Sequence, residues 1–211
     1  MHDVRRFAPA TQRNREPILE VLRVHVKPCA HVLEIASGSG EHAVFLAPRL
    51  DAGTWQPTDV DPEARLSIDA WRDHEKDPRV LPAIELDVTK TPWPVKSADV
   101  VVCINMVHIT PWATTVELLR GAADVLPAGG LLYLYGPYRR NGVSTSDSNE
   151  AFDQSLRSRN EQWGVRNLEE VQDEALEHGL VFQEVVQMPA NNLSVIFRRA
   201  VPPSSGVILT P

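Results

Sequence analysis

The feature that most constrains this chain is the run His31-Val32-Leu33-Glu34-Ile35-Ala36, followed at once by Ser37-Gly38-Ser39-Gly40 and a helix-like stretch from Glu41 to Leu50. An apolar strand that turns directly into a helix needs residues free to take left-handed backbone angles. A turn built from glycine also lets a ligand approach the main chain and the free N–H groups of the helix start. A strand, a tight glycine loop and a helix are therefore expected here. Glycines in such a loop often serve steric needs alone, so the loop by itself defines no ligand.

The alternation continues along the chain. A strand is expected near Thr54 to Thr58, a helix with Ala64, Ile68 and Trp71 on one face, and a strand near Val80 to Leu86. Next come an apolar strand Ala98 to Ile104, a helix with a core stripe of Val116, Leu119, Ala123 and Leu126, and a strand Leu131 to Tyr135. Strands that alternate with helices and are apolar on both faces indicate a parallel sheet covered on both sides. The expected fold class is α/β, a doubly wound Rossmann-like sandwich.

Two flanking regions depart from that rhythm. Leu19, Leu22 and Val26 fall at helical spacing after Pro17, which predicts an N-terminal helix over 16–27 with the proline in its first turn. After Pro137 a polar stretch leads to helices near 150–159 and 167–178, the second ending at Gly179, suited to a left-handed cap. Strands Val181 to Met188 and Leu193 to Arg199 follow with only Pro189-Ala190-Asn191-Asn192 between them. So short a connection makes an antiparallel hairpin, because a parallel pair needs a crossover of about a dozen residues. One domain over 1–201 is expected, with 202–211 a mobile tail.

Composition narrows the partners. Of 211 residues, 43% are hydrophobic and 23% charged, values that fit a globular core. The formal net charge of -7 offers no broad basic field for a phosphate backbone, which favours a small-molecule partner over nucleic acid. No apolar run reaches the roughly 20 residues that cross a bilayer, and the polar stretch Met1 to Arg15 lacks a signal-peptide core, so a cytoplasmic location is expected. The two cysteines, Cys29 and Cys103, have no metal-ligand spacing and read as free thiols. No metal site is expected.

The chemistry concentrates at the strand ends. Asp59 stands 21 residues after Gly38 at the end of the second strand, where a carboxylate can accept from the two ribose hydroxyls of an adenosine cofactor. Asp61, just before Pro62, reads instead as a helix cap. Gly38-x-Gly40-x-x-Ala43 also satisfies a dinucleotide fingerprint, so NAD competes. Glu34 decides against it. Inside the first strand, four residues before Gly38, its carboxylate repels a pyrophosphate and attracts a cationic amino-acid cofactor. Asp87, beside Val88 at the third strand's end, can accept from an adenine amino group.

Val32-Leu33-Glu34-Ile35-Ala36-Ser37-Gly38-Ser39-Gly40, with Asp59, Asp87 and Asn105, resembles the motif series of class I S-adenosylmethionine-dependent methyltransferases over about 30–199. The resemblance implies a mostly parallel seven-stranded sheet with a reversed final strand, S-adenosylmethionine as cofactor, and methyl transfer to an acceptor it does not define. It implies cofactor contacts from Glu34, Ala36, Ser37, Gly38, Gly40, Asp59, Val60, Asp87, Val88, Asn105 and Met106. Ala36 departs from the family pattern, standing where a first glycine is usual. A narrower likeness, to an uncharacterised methyltransferase-like branch, rests on Arg13-Asn14-x-x-Pro17, Asn105-Met106-x-His108, Gly136-Pro137-Tyr138 and Met188-Pro189-Ala190-Asn191-Asn192.

For the reaction itself, His108 is the candidate base and Tyr138 a candidate acceptor-pocket residue, both on the rim where ligands of open α/β sheets bind. Packing explains His108 equally well. Arg13 and Asn14 are candidates for a lid that reaches the cofactor's carboxylate or the acceptor. A cofactor-binding regulatory protein without turnover is the alternative reading, and an NAD-dependent oxidoreductase a weaker one.

Overall fold

The computed structural model describes residues 3–201. A central sheet holds six strands: β1 (His31–Ile35), β2 (Thr54–Pro57), β3 (Val100–Ile104), β4 (Leu131–Gly136), β7 (Leu180–Met188) and β8 (Asn192–Arg199), in the order β2-β1-β3-β4-β8-β7. The first four pair in parallel, and β8 pairs antiparallel with both β4 and β7. The C-terminal hairpin is thus as expected. A separate two-stranded ladder joins β5 (Tyr138–Arg139) to β6 (Arg166–Asn167), which no sequence pattern had marked.

Alternation along each strand divides the core. From β1, Leu33 and Ile35 face a cluster with α4 (Trp112–Val125) and α6 (Leu168–Glu177), while Val32 faces a second cluster with α1 (Pro9–His25) and α2 (Glu41–Arg49). β3 does the same, Val101 and Cys103 on one side and Val102 and Ile104 on the other. Strands buried on both faces must be apolar at successive positions, which is why they show no alternation. On α4 the inward stripe is Thr115, Leu118, Leu119 and Ala122, and Val116 is only half-buried.

The expected seventh strand does not form. Residues 80–84 run parallel beside β2, but only as isolated bridges at Trp55–Val80 and Thr58–Ile84. The cause is one proline and one competing acceptor. Pro57 has no N–H to give the outer segment, and the Ala83 N–H, next in line after that of Leu81 to reach β2, bonds Asp69 Oδ1 at 2.9 Å instead. The Ile84 N–H reaches the Pro57 carbonyl at 3.3 Å, one residue out of step.

The N-terminal helix also differs. It starts at Pro9, so Pro17 lies inside it rather than in its first turn. Pro9 holds the first helical position, where its missing N–H leaves no bond broken. Asp61 caps α3 (Pro62–Glu75), accepting from Glu63 N at 2.9 Å, and Ser146 caps α5 (Asp147–Arg159), accepting from Asn149 N at 3.2 Å. Gly179 takes φ +71° after α6, as a left-handed cap requires. Cys29 is exposed and Cys103 buried, both free. The tail 202–211 lies outside the described residues.

Candidate functional site

The chain passes from β1 outward to β2 and then returns to place β3 on the other side of β1. Loops leaving the C-terminal ends of β1 and β3 therefore diverge, and ligands of open α/β sheets enter at such a reversal. Here the two loops are Ala36 to Gly40 and Asn105 to Pro111.

Three residues of the first loop have left-handed backbone: Ala36 at φ +54°, Gly38 at +58° and Gly40 at +90°. Ser37 pins the loop to β2, its N–H on the Thr58 carbonyl at 2.8 Å and its Oγ accepting from Thr58 N at 3.1 Å. The two glycines have different jobs. A Cβ on Gly40 would stand 2.7 Å from the Ile68 Cα, so Gly40 is required for α3 to pack. A Cβ on Gly38 would meet nothing within 4 Å, so Gly38 leaves a cradle open above the main chain.

Two carboxylates flank that cradle. Asp59 is buried and accepts from Gly38 N through Oδ2 and from Asp61 N through Oδ1, each at 2.9 Å. A carboxylate has about four acceptor sites, so two remain for further donors. Glu34, 1% exposed, accepts from the Trp55 indole N–H at 3.0 Å. Burial pushes its carboxyl up to about 7, against the pull of that indole bond. Asp87 bonds the Thr89 hydroxyl at 2.7 Å and the Thr89 N–H at 3.0 Å, and the hydroxyl bond first of all holds its carboxyl low. Val60 is exposed, whereas Val88 and Met106 bury their side chains in the core.

Beside the loops lies a cleft of about 400 Å³. Asn105, at φ +61° with its N–H on the Tyr135 carbonyl, and His108 form one wall. Tyr135 from the end of β4, Phe152 and Arg159 from α5, and Asn192 from the hairpin also line it, and Arg13 and Asn14 bring α1 to its rim. His108 is 2% exposed, and its Nδ1 has no hydrogen-bond partner among the described residues. Burial, then the charge of Arg166, lowers its pKa to about 4, which keeps the ring neutral. Gly136 makes room for it: a Cβ there would stand 2.8 Å from His108 Cε1. Phe152 meets the ring edge-on at 5.6 Å between centroids.

The remaining candidates divide. Tyr138 is not among the residues that line the cleft: it is fully buried, its hydroxyl has no hydrogen-bond partner among the described residues, and burial raises its pKa strongly. The strand alternation that turns Tyr133 and Tyr135 to the α1 side carries Tyr138 into the opposite core. Asn14 uses its Oδ1 on His42 Nε2 at 2.8 Å, so it fastens α1 to α2. Arg139 is no free surface residue, because Glu150 at 2.7 Å and Asp153 at 3.2 Å hold it. Tyr135, Asn192 and Arg159 were not singled out from sequence. For Tyr135 the signal was available, since it ends a parallel strand on the ligand-binding rim.

This architecture recurs in solved structures. A candidate sarcosine dimethylglycine methyltransferase from Galdieria sulphuraria superposes with a TM-score of 0.71 at 13% identity, over 93% of this chain and 92% of that one. An O-methyltransferase family protein from Burkholderia thailandensis gives 0.75 at 17%, over 92% and 58%. Human N-acetylserotonin methyltransferase, solved with S-adenosylmethionine, gives 0.74 at 15%, over 91% and 53%. The chain spans little more than half the length of the last two. Its fold is that of the class I S-adenosylmethionine-dependent methyltransferases. The chain belongs to the family DUF938, described as a protein of unknown function, whose model matches residues 5–199.

Proposed function

We propose that this protein binds S-adenosylmethionine in the glycine cradle and transfers its methyl group to a small molecule held in the neighbouring cleft. The observation that carries the reading is the open space at Gly38 near two carboxylates, one of them, Glu34, buried and without an ion pair among the described residues. A pyrophosphate would raise the energy of both carboxylates, and an ammonium would lower that of Glu34. In this reading Asp59 accepts from the ribose hydroxyls, Asp87 from the adenine amino group, and Glu34 from the amino-acid end. The main chain of Ala36, Ser37, Gly40, Val60, Val88 and Met106 completes the cradle, and Asn105 lies between cofactor and cleft.

When bound, the cofactor supplies a methyl group on a sulfonium, a leaving group good enough that the protein need provide only alignment and a dry site. Phe152, Tyr135 and α1 exclude water from the cleft. His108, held neutral, accepts a hydrogen bond from the acceptor and orients it; with its pKa near 4 it is a weak base at neutral pH. That weakness favours the second reading, cofactor binding without turnover. Incubation with methyl-labelled S-adenosylmethionine and small-molecule fractions separates the two. Label moves to a small molecule in wild type and not in Asp59→Ala if the protein is an enzyme. Label that stays on the cofactor in every fraction, despite tight binding, overturns the enzymatic reading.

The acceptor is a small molecule in this proposal because the cleft, bordered by α1 and α5, has a volume of about 400 Å³. No helix among the described residues is long and apolar enough to cross a membrane.

A further inference from the structure

The charge of the cleft differs from that of the chain. Acidic residues outnumber basic ones 28 to 21 overall, yet no Asp or Glu lines the cleft, and two arginines do. They arrive from different elements, Arg13 from α1 and Arg159 from the last turn of α5. Neither forms an ion pair among the described residues, whereas Arg139, Arg140 and Arg157 do. Arg157, two positions before Arg159 on the same helix, bonds Asp153 at 2.8 Å, and Arg139 and Arg140 are held by Glu150 and Glu169. Arg159 gives only its Nε, to its own helix at Ser155 O, and stacks over Trp163 with its guanidinium carbon 5.6 Å from the ring centre. Its two terminal nitrogens have no protein acceptor among the described residues.

Arg13 lines the cleft that Tyr135 also lines. Burial raises the pKa of the Tyr135 hydroxyl, and the charge of Arg13 is among the influences that pull it back. Ala10, in the first turn of α1, lines the same rim, so the positive end of that helix adds to the field. Around these cations the walls are apolar or aromatic: Phe152, Ile109, Pro137 and Pro189. Two exposed guanidiniums at the mouth of a partly apolar cleft that no carboxylate lines form a setting suited to an anion.

We propose that the acceptor is a small organic anion, its carboxylate or phosphate held between Arg13 and Arg159 and its apolar body laid against Phe152. The inference rests on the functional reading above, and it adds the substrate class. It also orders the site. The anionic end is fixed at the rim, which leaves the far end of the molecule to reach toward Asn105 and His108.

Benzoate, phenyl phosphate and uncharged benzamide are suitable probes, titrated by ligand-observed NMR into the full chain with and without saturating S-adenosylhomocysteine. At least one of the two anions binds tenfold or more tightly than benzamide, and which one does so identifies the headgroup. Arg159→Gln lowers that affinity at least tenfold while leaving S-adenosylhomocysteine binding within threefold; Arg13→Gln lowers the anion affinity likewise. Equal binding of benzamide and both anions, or anion binding unchanged in both variants, overturns the proposal even where S-adenosylhomocysteine binds. Anion binding that needs both arginines, with no binding of S-adenosylhomocysteine, removes the methyltransferase reading and leaves the anion site standing.

Discussion

Glu34 shows how one side chain links stability to ligand choice. Its carboxyl ordinarily titrates near 4.5 and is pushed to about 7 by burial. A carboxyl with a folded pKa above its unfolded one holds its proton better in the folded state, so stability falls as pH rises from 4.5 to about 7. Over that window the loss is of the order of 3 kcal/mol, taking about 1.4 kcal/mol per pKa unit. Glu34→Gln cannot titrate. Its stability in urea, set against wild type, gains roughly that amount between about pH 4 and about pH 8. A difference that stays flat with pH shows that Glu34 is already ionised in the folded protein. The glycines give a second contrast. Gly40→Ala drives a methyl into the Ile68 backbone and loses about 3 kcal/mol or more of stability. Gly38→Ala keeps the fold at a cost of about 1–2 kcal/mol in backbone strain but fills the cradle. Thermal melts and S-adenosylhomocysteine titrations read both, and wild-type affinity in Gly38→Ala would empty the cradle of meaning.

At the scale of elements the helix α1 carries most of what the sequence concealed. It is bound to the first turn of α2, directly after the glycine loop: Ala8 N on Glu41 Oε2 at 2.6 Å, Gln12 Nε2 on Glu41 Oε1 at 2.9 Å, and Asn14 on His42. The segment before it is tied to α3 as well, Arg6 N on Ser67 Oγ and Trp71 Nε1 on Arg6 O. An element attached to the loop that holds the ligand senses that ligand. Hydrogen exchange across 9–20 therefore slows with saturating S-adenosylhomocysteine, along with 38–40; protection confined to the loop removes α1 from the site. The strands and their connecting helices were legible because burial on both faces forces unbroken apolar runs. The start of α1 was not, since Pro17 looks like a first-turn proline and Pro9 precedes a polar segment whose contacts are all long-range. The outer strand at 80–86 failed for a similar reason. Apolar residues mark it, but whether a ladder forms was decided by Pro57 and the reach of Asp69.

For the whole molecule, the order β2-β1-β3-β4-β8-β7 brings to one rim residues that lie far apart in the chain. The candidates at the glycine cradle could be picked out in the sequence because several follow a strand: Gly38 after β1, Asp59 after β2, Asn105 after β3. In the cleft, Arg13 could be marked only as part of a lid, and Arg159 and Asn192 could not be marked at all, because they come from α5 and the hairpin, which only tertiary packing brings to α1. Tyr138 was misplaced because two residues beyond Gly136 the chain has already turned from rim to core. All of this depends on the cradle belonging to an adenosyl amino acid rather than to a dinucleotide. Isothermal titration calorimetry of the full chain with S-adenosylhomocysteine, S-adenosylmethionine and NAD tests that directly, with Asp59→Ala and Asp61→Ala beside wild type. The account predicts binding of the first two and no heat from NAD, a loss of about 1–3 kcal/mol in Asp59→Ala, and little change in Asp61→Ala. Heat from NAD alone, or a loss confined to Asp61→Ala, would contradict it.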